Sequence, residues 1–285
     1  MKFADSDFEP YRLVTPSVEA IPLVCDSPHS GSTYPADFQT VLPVSVLRWA
    51  EDAHVDELWN AVPRHGGTLL CAEFPRSYVD VNREIDDIDP NLLAEPWTSE
   101  VRPTEKSRLG YGLFWHSVNG RPMYDRKLWV GELENRISTY YEPYHAALWR
   151  QINSAVEHFG MVWHLNLHSM PSNSYVAMQQ KDKGLADFVL GDRDGTTCDP
   201  TLTGIIEDYL TQCGYSVARN DPFKGVALVA RIGQPSAHRH SLQIELNRRL
   251  YMNEETFEKS ADFSRVQRDL DGLCAHLREF IRGLL

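Results

Sequence analysis

The sequence has no apolar run long enough to cross a lipid bilayer. A membrane-spanning helix needs roughly 18 or more consecutive apolar residues, and no stretch of the 285-residue chain approaches that length. The opening segment, MKFADSDFEPYRL, is acidic and lacks the apolar core of a secretory signal peptide. We therefore expect a cytoplasmic protein with no membrane partner.

Paired cysteines are absent as well. The number of cysteines is odd, five, and no two of them have the C-x-x-C spacing. The sequence therefore predicts neither a disulfide framework nor a cysteine zinc site. Small buried thiols are the better interpretation. The five are Cys25, Cys71, Cys198, Cys213 and Cys274.

Positive charge is scarce. The chain has 28 Lys and Arg against 40 Asp and Glu, a formal net charge of −12. Nucleic acid binding needs a basic footprint for the phosphate backbone, so we expect no nucleic-acid partner. A small anionic substrate needs only a few local arginines and is compatible with this balance.

The composition is otherwise that of an ordinary globular protein, with 42% hydrophobic and 24% charged residues. Predicted strands and helices alternate along almost the whole chain, which indicates an α/β domain with three layers. No repeat or low-complexity segment interrupts it, so we expect one domain over residues 1–285. The predicted strands are 21–25, 68–72, 162–167, 186–190, 215–218, 226–230 and 241–246, and the predicted helices are 49–62, 128–159 (interrupted at Pro143), 201–210 and 255–285.

One segment, residues 84–127, shows no sustained hydrophobic period. It is rich in Pro, Gly, Asp and Trp. A connection of this length is uncommon inside a compact domain and is typical of lids and binding loops. We interpret 84–127 as a long excursion that forms a lid over a site, with a small hairpin at 110–121.

Two histidines follow apolar strands at places where ligands commonly bind. The run Ile21–Cys25 breaks into Asp-Ser-Pro and then His29, and a second run ends at His168, which Ser and Met-Pro follow. Open α/β sheets bind their ligands at the carboxyl ends of the strands. Both histidines are therefore candidate metal ligands. The alternative for His29 is a loop histidine hydrogen-bonded to a neighbouring carbonyl.

A carboxylate near the start of the predicted helix 49–62 is the third candidate ligand. Asp52 either caps this helix or binds a metal beside the His29 loop. Asp56, one turn on, replaces it if the helix starts later. His54 has no ligand candidate four residues away and is interpreted as a surface residue.

Two imidazoles and one carboxylate form the ligand set of a catalytic zinc ion, with one position open for water. Such a metal lowers the pKa of water towards about 7 and polarises a carbonyl. A second carboxylate must then move a proton, and Glu245 is the candidate because an isolated glutamate in an apolar strand is costly to bury unpaired. Alternatively Glu245 faces solvent or pairs with Arg248 or Arg249. No H-E-x-x-H signature is present, and the first substitute ligands are His238 and His240.

Seven segments in this order resemble the N-formylglutamate amidohydrolase (N-formylglutamate deformylase) family, over about residues 21–255. They are SPHSG, DAHVDELW, RSYVDVNR, LNLHSMPS, GDRDGTTC, NDPFKG and QIELNRRLYMNE. The resemblance implies a phosphorylase/hydrolase-like α/β fold with a mixed central sheet, related to zinc carboxypeptidases. It also implies one Zn²⁺ ion and hydrolysis of N-formyl-L-glutamate to formate and L-glutamate in histidine breakdown.

The resemblance also implies roles for particular residues. His29, Asp52 and His168 match metal ligands and Glu245 matches the catalytic glutamate. VDVNR resembles the Asp-x-Asn-Arg segment of carboxypeptidases, which implies that Asn82 and Arg83 hold a substrate carboxylate. Arg76 is then placed to polarise the scissile carbonyl, and Arg231 is a second carboxylate anchor. Carboxypeptidases use H-x-x-E, but Ser32 stands three residues after His29, so the choice between Asp52 and Asp56 stays open.

Three hypotheses for function follow. The first is a zinc-dependent amidohydrolase acting on a small anionic N-acyl amino acid, N-formyl-L-glutamate in particular. The second is a metal-dependent deacylase or amidase for another N-acyl amino acid or a cell-wall peptide, with segment 84–127 setting the preference. The third is a non-catalytic binding protein that keeps the fold and an anion pocket.

Overall fold

The computed structural model describes residues 8–178, 180–181 and 183–285, so part of the acidic opening segment lies outside the described residues. The described residues divide into two compact units. The first unit comprises residues up to 12, 28–53 and 71–149, and the second comprises 13–27, 54–70 and those from 150 onwards. The single domain over 1–285 stays a prediction.

Short strands and helices alternate along the chain. The strands are β1 (Tyr11–Val14), β2 (Leu23–Ser27), β3 (Thr68–Ala72), β4 (Ser117–Val118), β5 (Arg121–Pro122), β6 (Val162–Met170), β7 (Phe188–Gly191), β8 (Val217–Arg219) and β9 (Arg239–Asn247). The helices are α1 (Val44–Leu47), α2 (Val55–Leu58), α3 (Glu105–Arg108), α4 (Val130–Arg136), α5 (Glu142–Phe159), α6 (Ser174–Ala177), α7 (Pro200–Gln212), α8 (Ala227–Ile232) and α9 (Phe263–Arg282).

Seven of the strands form one sheet in the order β1-β3-β2-β6-β9-β7-β8. β6 pairs in parallel with both β2 and β9, whereas β7 runs antiparallel to β9 and parallel to β8. Every residue of β2, β3 and β6 is buried, as expected for strands covered on both faces. The predicted α/β fold with a mixed central sheet is therefore confirmed.

The three central strands carry a buried polar row on one face. In β9 the polar residues Ser241, Gln243 and Glu245 alternate with leucine and isoleucine, and side chains alternate between faces along a strand. Each of these three residues pairs with a polar residue of β6, namely His164, Asn166 or His168. His164 and Asn166 also pair with residues of β2. The full row on this face consists of Asp26, His164, Asn166, His168, Ser241, Gln243 and Glu245.

Two predicted elements are wrong. Where a strand was predicted at 226–230, the structure has helix α8, which begins at Ala227. A short apolar run has no period that distinguishes a strand from a helix. Of the predicted helix 49–62, only α2 is α-helical. His54, whose backbone is left-handed (φ 66°), precedes α2, and the turn that contains Pro63 follows it. The apolar stripe of 49–62 is nevertheless buried as predicted: Val55, Leu58, Trp59 and Val62.

Other boundaries shift. The predicted helix 128–159 is two helices, α4 and α5, joined by a π-helical turn at Ile137–Tyr141. Pro143 is the second residue of α5, so the proline, which has no N–H to donate, lies just after the π-helical turn. The C-terminal helix begins at Phe263, not at residue 255, and its buried face packs on α2 and α7.

Residues 84–127 are folded and not structureless. They contain α3 and a two-stranded hairpin, β4–β5, whose turn at Asn119-Gly120 has two positive φ angles. Such a turn matches the natural twist of a hairpin. Several apolar residues of the segment are buried, namely Ile88, Leu113, Phe114, Trp115 and Val118. The hairpin is confirmed at 117–122, and a role as a lid stays a prediction.

None of the five cysteines is in a disulfide, and four of the five are buried. Burial raises the pKa of the Cys198 and Cys274 thiols to about 12, so both stay protonated and inert at neutral pH. Among the described helices, none combines the length and apolarity needed to cross a membrane.

Candidate active site

His29 lies two residues beyond the end of β2 and is almost completely buried. Its Nε2 is 2.7 Å from Oδ1 of Asp80, and its carbonyl accepts a hydrogen bond from the backbone N–H of Asp52 at 2.9 Å. An ionised carboxylate can only accept, so Nε2 carries the proton and Nδ1 carries the lone pair. Nδ1 in turn lies 3.5 Å from Oδ2 of Asp52.

Asp52 does not cap the neighbouring helix. The residue before α2 is His54, and no side chain caps that helix. Asp52 is buried beside the imidazole of His29, whereas Asp56 lies in the first turn of α2. The helix thus starts later than the sequence suggests, yet the carboxylate beside His29 is that of Asp52.

The structure brings three of the predicted ligands together. One ligand atom from each of His29, Asp52 and His168 lies within 4.8 Å of the other two, and all three residues are buried. Two imidazole nitrogens and one carboxylate oxygen form the donor set of a catalytic zinc site. The residues present therefore fit a zinc ion.

Asp80 is the residue that sequence reasoning missed. It is fully buried, and its carboxylate accepts hydrogen bonds from His29, from the backbone N–H of Asn82 (2.9 Å) and from Arg76. Burial alone would raise its pKa, but the neighbouring Arg76, His29 and Arg83, of which His29 also donates a hydrogen bond, outweigh burial and hold the pKa of Asp80 well below its usual value. Asp80 is the second residue of VDVNR, a segment from which only Asn82 and Arg83 were predicted to act.

The guanidinium of Arg76 is largely committed to Asp80. Nε and Nη2 donate to Oδ2 of Asp80 at 3.1 and 2.8 Å, and the group lies 5.0 Å from the centre of the Trp115 ring. Among the described residues, Nη1 has no hydrogen-bond acceptor, so its N–H groups are available to a substrate oxygen.

Asn82 and Arg83 are both buried in the turn that follows Asp80. Nε of Arg83 donates to the carbonyl of Tyr111 at 2.9 Å and Nη1 donates to the carbonyl of Asn82 at 3.0 Å. Burial lowers the pKa of Arg83, although nearby Asp80 opposes this change. Part of this arginine's donor capacity therefore fastens segment 84–127 to the turn.

Contacts outside regular secondary structure hold this turn in place. The backbone N–H of Asp80 donates to the carbonyl of Leu113 at 2.8 Å, and the hydroxyl of Tyr78 donates to Asp37 at 2.7 Å. Buried Arg136 donates to the carbonyl of Tyr78 at 3.1 Å and stacks on its ring at 4.1 Å. The position of Asp80 thus depends on packing that no local motif reveals.

Arg231 is in a different setting. It is exposed in the last turn of α8, so the premise that it ends a strand is wrong. Its role as a second carboxylate anchor stays a prediction.

His168 and Glu245 are direct neighbours on adjacent parallel strands. Nε2 of His168 lies 2.7 Å from Oδ1 of Asn166, and Oε1 of Glu245 accepts a hydrogen bond from the amide of Gln243 at 2.8 Å. His168 lies within β6, because pairing with β9 continues past the predicted end of the strand. Glu245 is only 7% exposed and so does not face solvent.

The other arginines and histidines considered for the site have contacts of their own. Arg249 pairs with Asp187 at 2.7 Å, and Nε of Arg248 donates to Ser169 at 3.2 Å. His240 is the second residue of β9 and His238 directly precedes the strand, so they lie five and seven residues before Glu245. His54 contacts Glu57 and the carbonyl of Phe257, and its side chain is one-fifth exposed.

Comparisons with known proteins point to one family. The N-formylglutamate amidohydrolase family profile matches residues 21–252. N-formylglutamate deformylase from Pseudomonas aeruginosa is 29% identical over 271 residues, which cover 93% of each chain. That from Pseudomonas putida is 29% identical over 238 residues, 82% of this chain and 83% of the relative.

A solved structure is similar to almost the whole chain. The crystal structure of N-formylglutamate amidohydrolase from Ralstonia eutropha JMP134 is 55% identical and has a TM-score of 0.96. The match covers 98% of this chain and all of that one. The family match over most of the sequence, together with this likeness, shows that the chain belongs to the N-formylglutamate amidohydrolase family.

Proposed function

We propose that this protein hydrolyses N-formyl-L-glutamate to formate and L-glutamate with the help of one zinc ion. The observation that carries the proposal is the buried group of His29, Asp52 and His168, whose donor atoms suit a catalytic zinc. The names of the relatives supply the substrate, since those proteins are N-formylglutamate deformylases and an amidohydrolase.

The reaction joins a water oxygen to the formyl carbon and breaks the bond between that carbon and the amide nitrogen. Zinc, when bound, supplies a Lewis acid that polarises a carbonyl and lowers the pKa of water to about 7. Glu245 takes a proton from the attacking water and returns it to the leaving amine. The amide of Gln243 holds one carboxylate oxygen of Glu245 and so orients the base.

The substrate is a dianion and needs donors at each carboxylate. We assign one carboxylate to Asn82 and Arg83, because an arginine fork matches a carboxylate in geometry and charge. Arg76 keeps the donors of Nη1 for the developing oxyanion, while Asp80 fixes the rest of its guanidinium. Arg231 is assigned to the second carboxylate, because a dianionic substrate needs more than one arginine.

The test is formate release from N-formyl-L-glutamate by the purified protein, with chelator, without it, and after zinc is added back. We expect release that chelator removes and zinc restores. No release from a zinc-loaded sample would contradict the substrate assignment. A panel of N-acyl glutamates and cell-wall peptides would then test the second hypothesis, a different amide substrate for the same centre.

One further assignment belongs with the proposal. The resemblance to the family connects the reaction with histidine breakdown. The non-catalytic hypothesis would gain support if the metal-free protein bound N-formyl-L-glutamate with the affinity of the zinc-loaded protein and neither form turned it over.

A further inference from the structure

A continuous chain of buried hydrogen bonds ends at His168. Oγ of Ser241 lies 2.7 Å from Nδ1 of His164, and Nε2 of His164 lies 2.9 Å from Oδ1 of Asp26. The same Asp26 oxygen accepts from Nδ2 of Asn166 at 2.8 Å, and Oδ1 of Asn166 lies 2.7 Å from Nε2 of His168. The chain crosses β2, β6 and β9 on the polar face of the sheet.

Ser241, His164 and Asp26 have the composition of a nucleophilic triad, but they do not act as one. All three have 0% exposure, so no substrate reaches the serine hydroxyl. Burying a serine, a histidine and a carboxylate is costly unless each finds hydrogen-bond partners, which this chain provides. Their position behind a candidate metal ligand suggests a different use.

The direction of each hydrogen bond can be worked out from Asp26. A carboxylate oxygen accepts, so the group of Asn166 that faces it is the amide nitrogen. The amide oxygen of Asn166 must therefore face His168, and an oxygen there requires a proton on Nε2. Nδ1 of His168 then carries the lone pair, which is the state that a metal ion needs in an imidazole ligand.

We propose that Asp26 and Asn166 are positioning residues of the zinc centre. Asp26 fixes which way the Asn166 amide points, and Asn166 fixes the tautomer and ring orientation of His168. His164 and Ser241 hold Asp26 from the other side. The proposal rests on the metal site of the proposed function, though not on the identity of the substrate.

The first test is the zinc affinity of Asn166→Leu, which keeps the side-chain volume and removes the amide. We expect zinc binding 10- to 100-fold weaker than in the unaltered protein, measured by competition with a chromophoric chelator, as for other partners of metal-bound histidines. Thr203→Val is the matched control. Thr203 is equally buried in α7, and its hydroxyl lies 3.5 Å from Asp192 and not near His168.

The second test needs no variant, so it holds even if Asn166→Leu does not fold. Long-range ¹H–¹⁵N spectra of the zinc-loaded protein report which nitrogen of His168 carries hydrogen. We expect a protonated Nε2 and a metal-bound Nδ1. The opposite tautomer, or a folded Asn166→Leu that binds zinc as tightly as Thr203→Val does, would overturn the proposal.

Failure of the proposed function looks different. An unaltered protein that binds zinc tightly, shows the expected His168 tautomer and releases no formate would contradict the substrate assignment alone. A protein that releases formate and has the opposite tautomer would contradict the positioning role alone.

Discussion

At the scale of single residues, the candidate site consists of buried charges whose partners lie close by in space. Asp80 illustrates this, because two arginines and a histidine surround one carboxylate. The sequence predicted His29, Asp52, His168 and Glu245 as candidates from strand ends and a helix start. It did not reveal Asp80, because nothing in VDVNR distinguishes a carboxylate that orients a ligand from one in solvent.

Replacing Asp80 should weaken metal binding. In Asp80→Asn the charge that faces Arg76 and His29 is lost, and a neutral amide fixes the His29 tautomer less firmly. We expect zinc affinity to fall 10- to 100-fold in a chelator competition assay. Asp89→Asn is the matched control, because Asp89 is also a buried carboxylate beside a histidine, His116 at 3.3 Å. Equal zinc affinities in the two variants would contradict this role for Asp80.

Glu245→Gln should remove turnover and leave the fold and the metal in place. Glutamine keeps the oxygen that accepts from Gln243, so the local contact survives while the base is lost. General base catalysis contributes about 10²–10⁴-fold, so we expect kcat to fall by that factor with zinc content unchanged. Exposed Glu258→Gln serves as the control. Full activity in Glu245→Gln would rule out the assignment.

At the scale of elements, the apolar strands were the most predictable part. β2, β3, β6 and β9 fall where the sequence places them, because each is a buried run bounded by polar or turn residues. Two other predicted elements were wrong. Residues 226–230 were predicted as a strand, but a five-residue apolar run fits a helix equally well. Residues 49–62 have the period of a helix, but a single left-handed residue shortens it. Local propensity does not contain that information.

The start of β9 should make stability depend on pH. The ring of His240 stacks on Trp163 at 4.0 Å, and its Nδ1 accepts the backbone N–H of Asp199 at 3.2 Å. Burial lowers the pKa of His240, and Asp199 opposes this only in part. The folded state therefore binds a proton less readily than the unfolded state, and the contribution of His240 is present above about pH 6.5 and lost as pH falls towards the folded pKa.

The measurement is urea unfolding of the protein and of His240→Asn across pH 5 to 8. Asparagine offers an oxygen to the same N–H and does not titrate. We expect the stability advantage of the unaltered protein to be largest near pH 8 and to shrink below about pH 6.5. Comparing the two proteins at each pH cancels the titration of the zinc ligands. A constant difference across the range would show that His240 does not titrate there.

At the scale of the whole molecule, zinc should stabilise the folded chain. The three candidate ligands come from residues 29, 52 and 168, so the ion binds the folded state and not the unfolded chain. At a free zinc concentration 100 times Kd the expected gain is about 2.7 kcal/mol. Thermal unfolding with zinc and with chelator measures it as a rise in Tm. His168→Ala should lose most of the rise, and an undiminished rise would place the ion elsewhere.

The polar row on the sheet also separates two engineering problems. Side chains alternate between the two faces of a strand. Leu242, Ile244 and Leu246 therefore lie on one face of β9. Ser241, Gln243 and Glu245 lie on the other face. Mutational libraries confined to the leucine and isoleucine positions can seek heat tolerance without altering any group in the row. A single inserted or deleted residue in β9 would move the apolar residues to the polar face and the polar residues to the apolar face. Variants of this strand should therefore be made by substitution, which keeps its length.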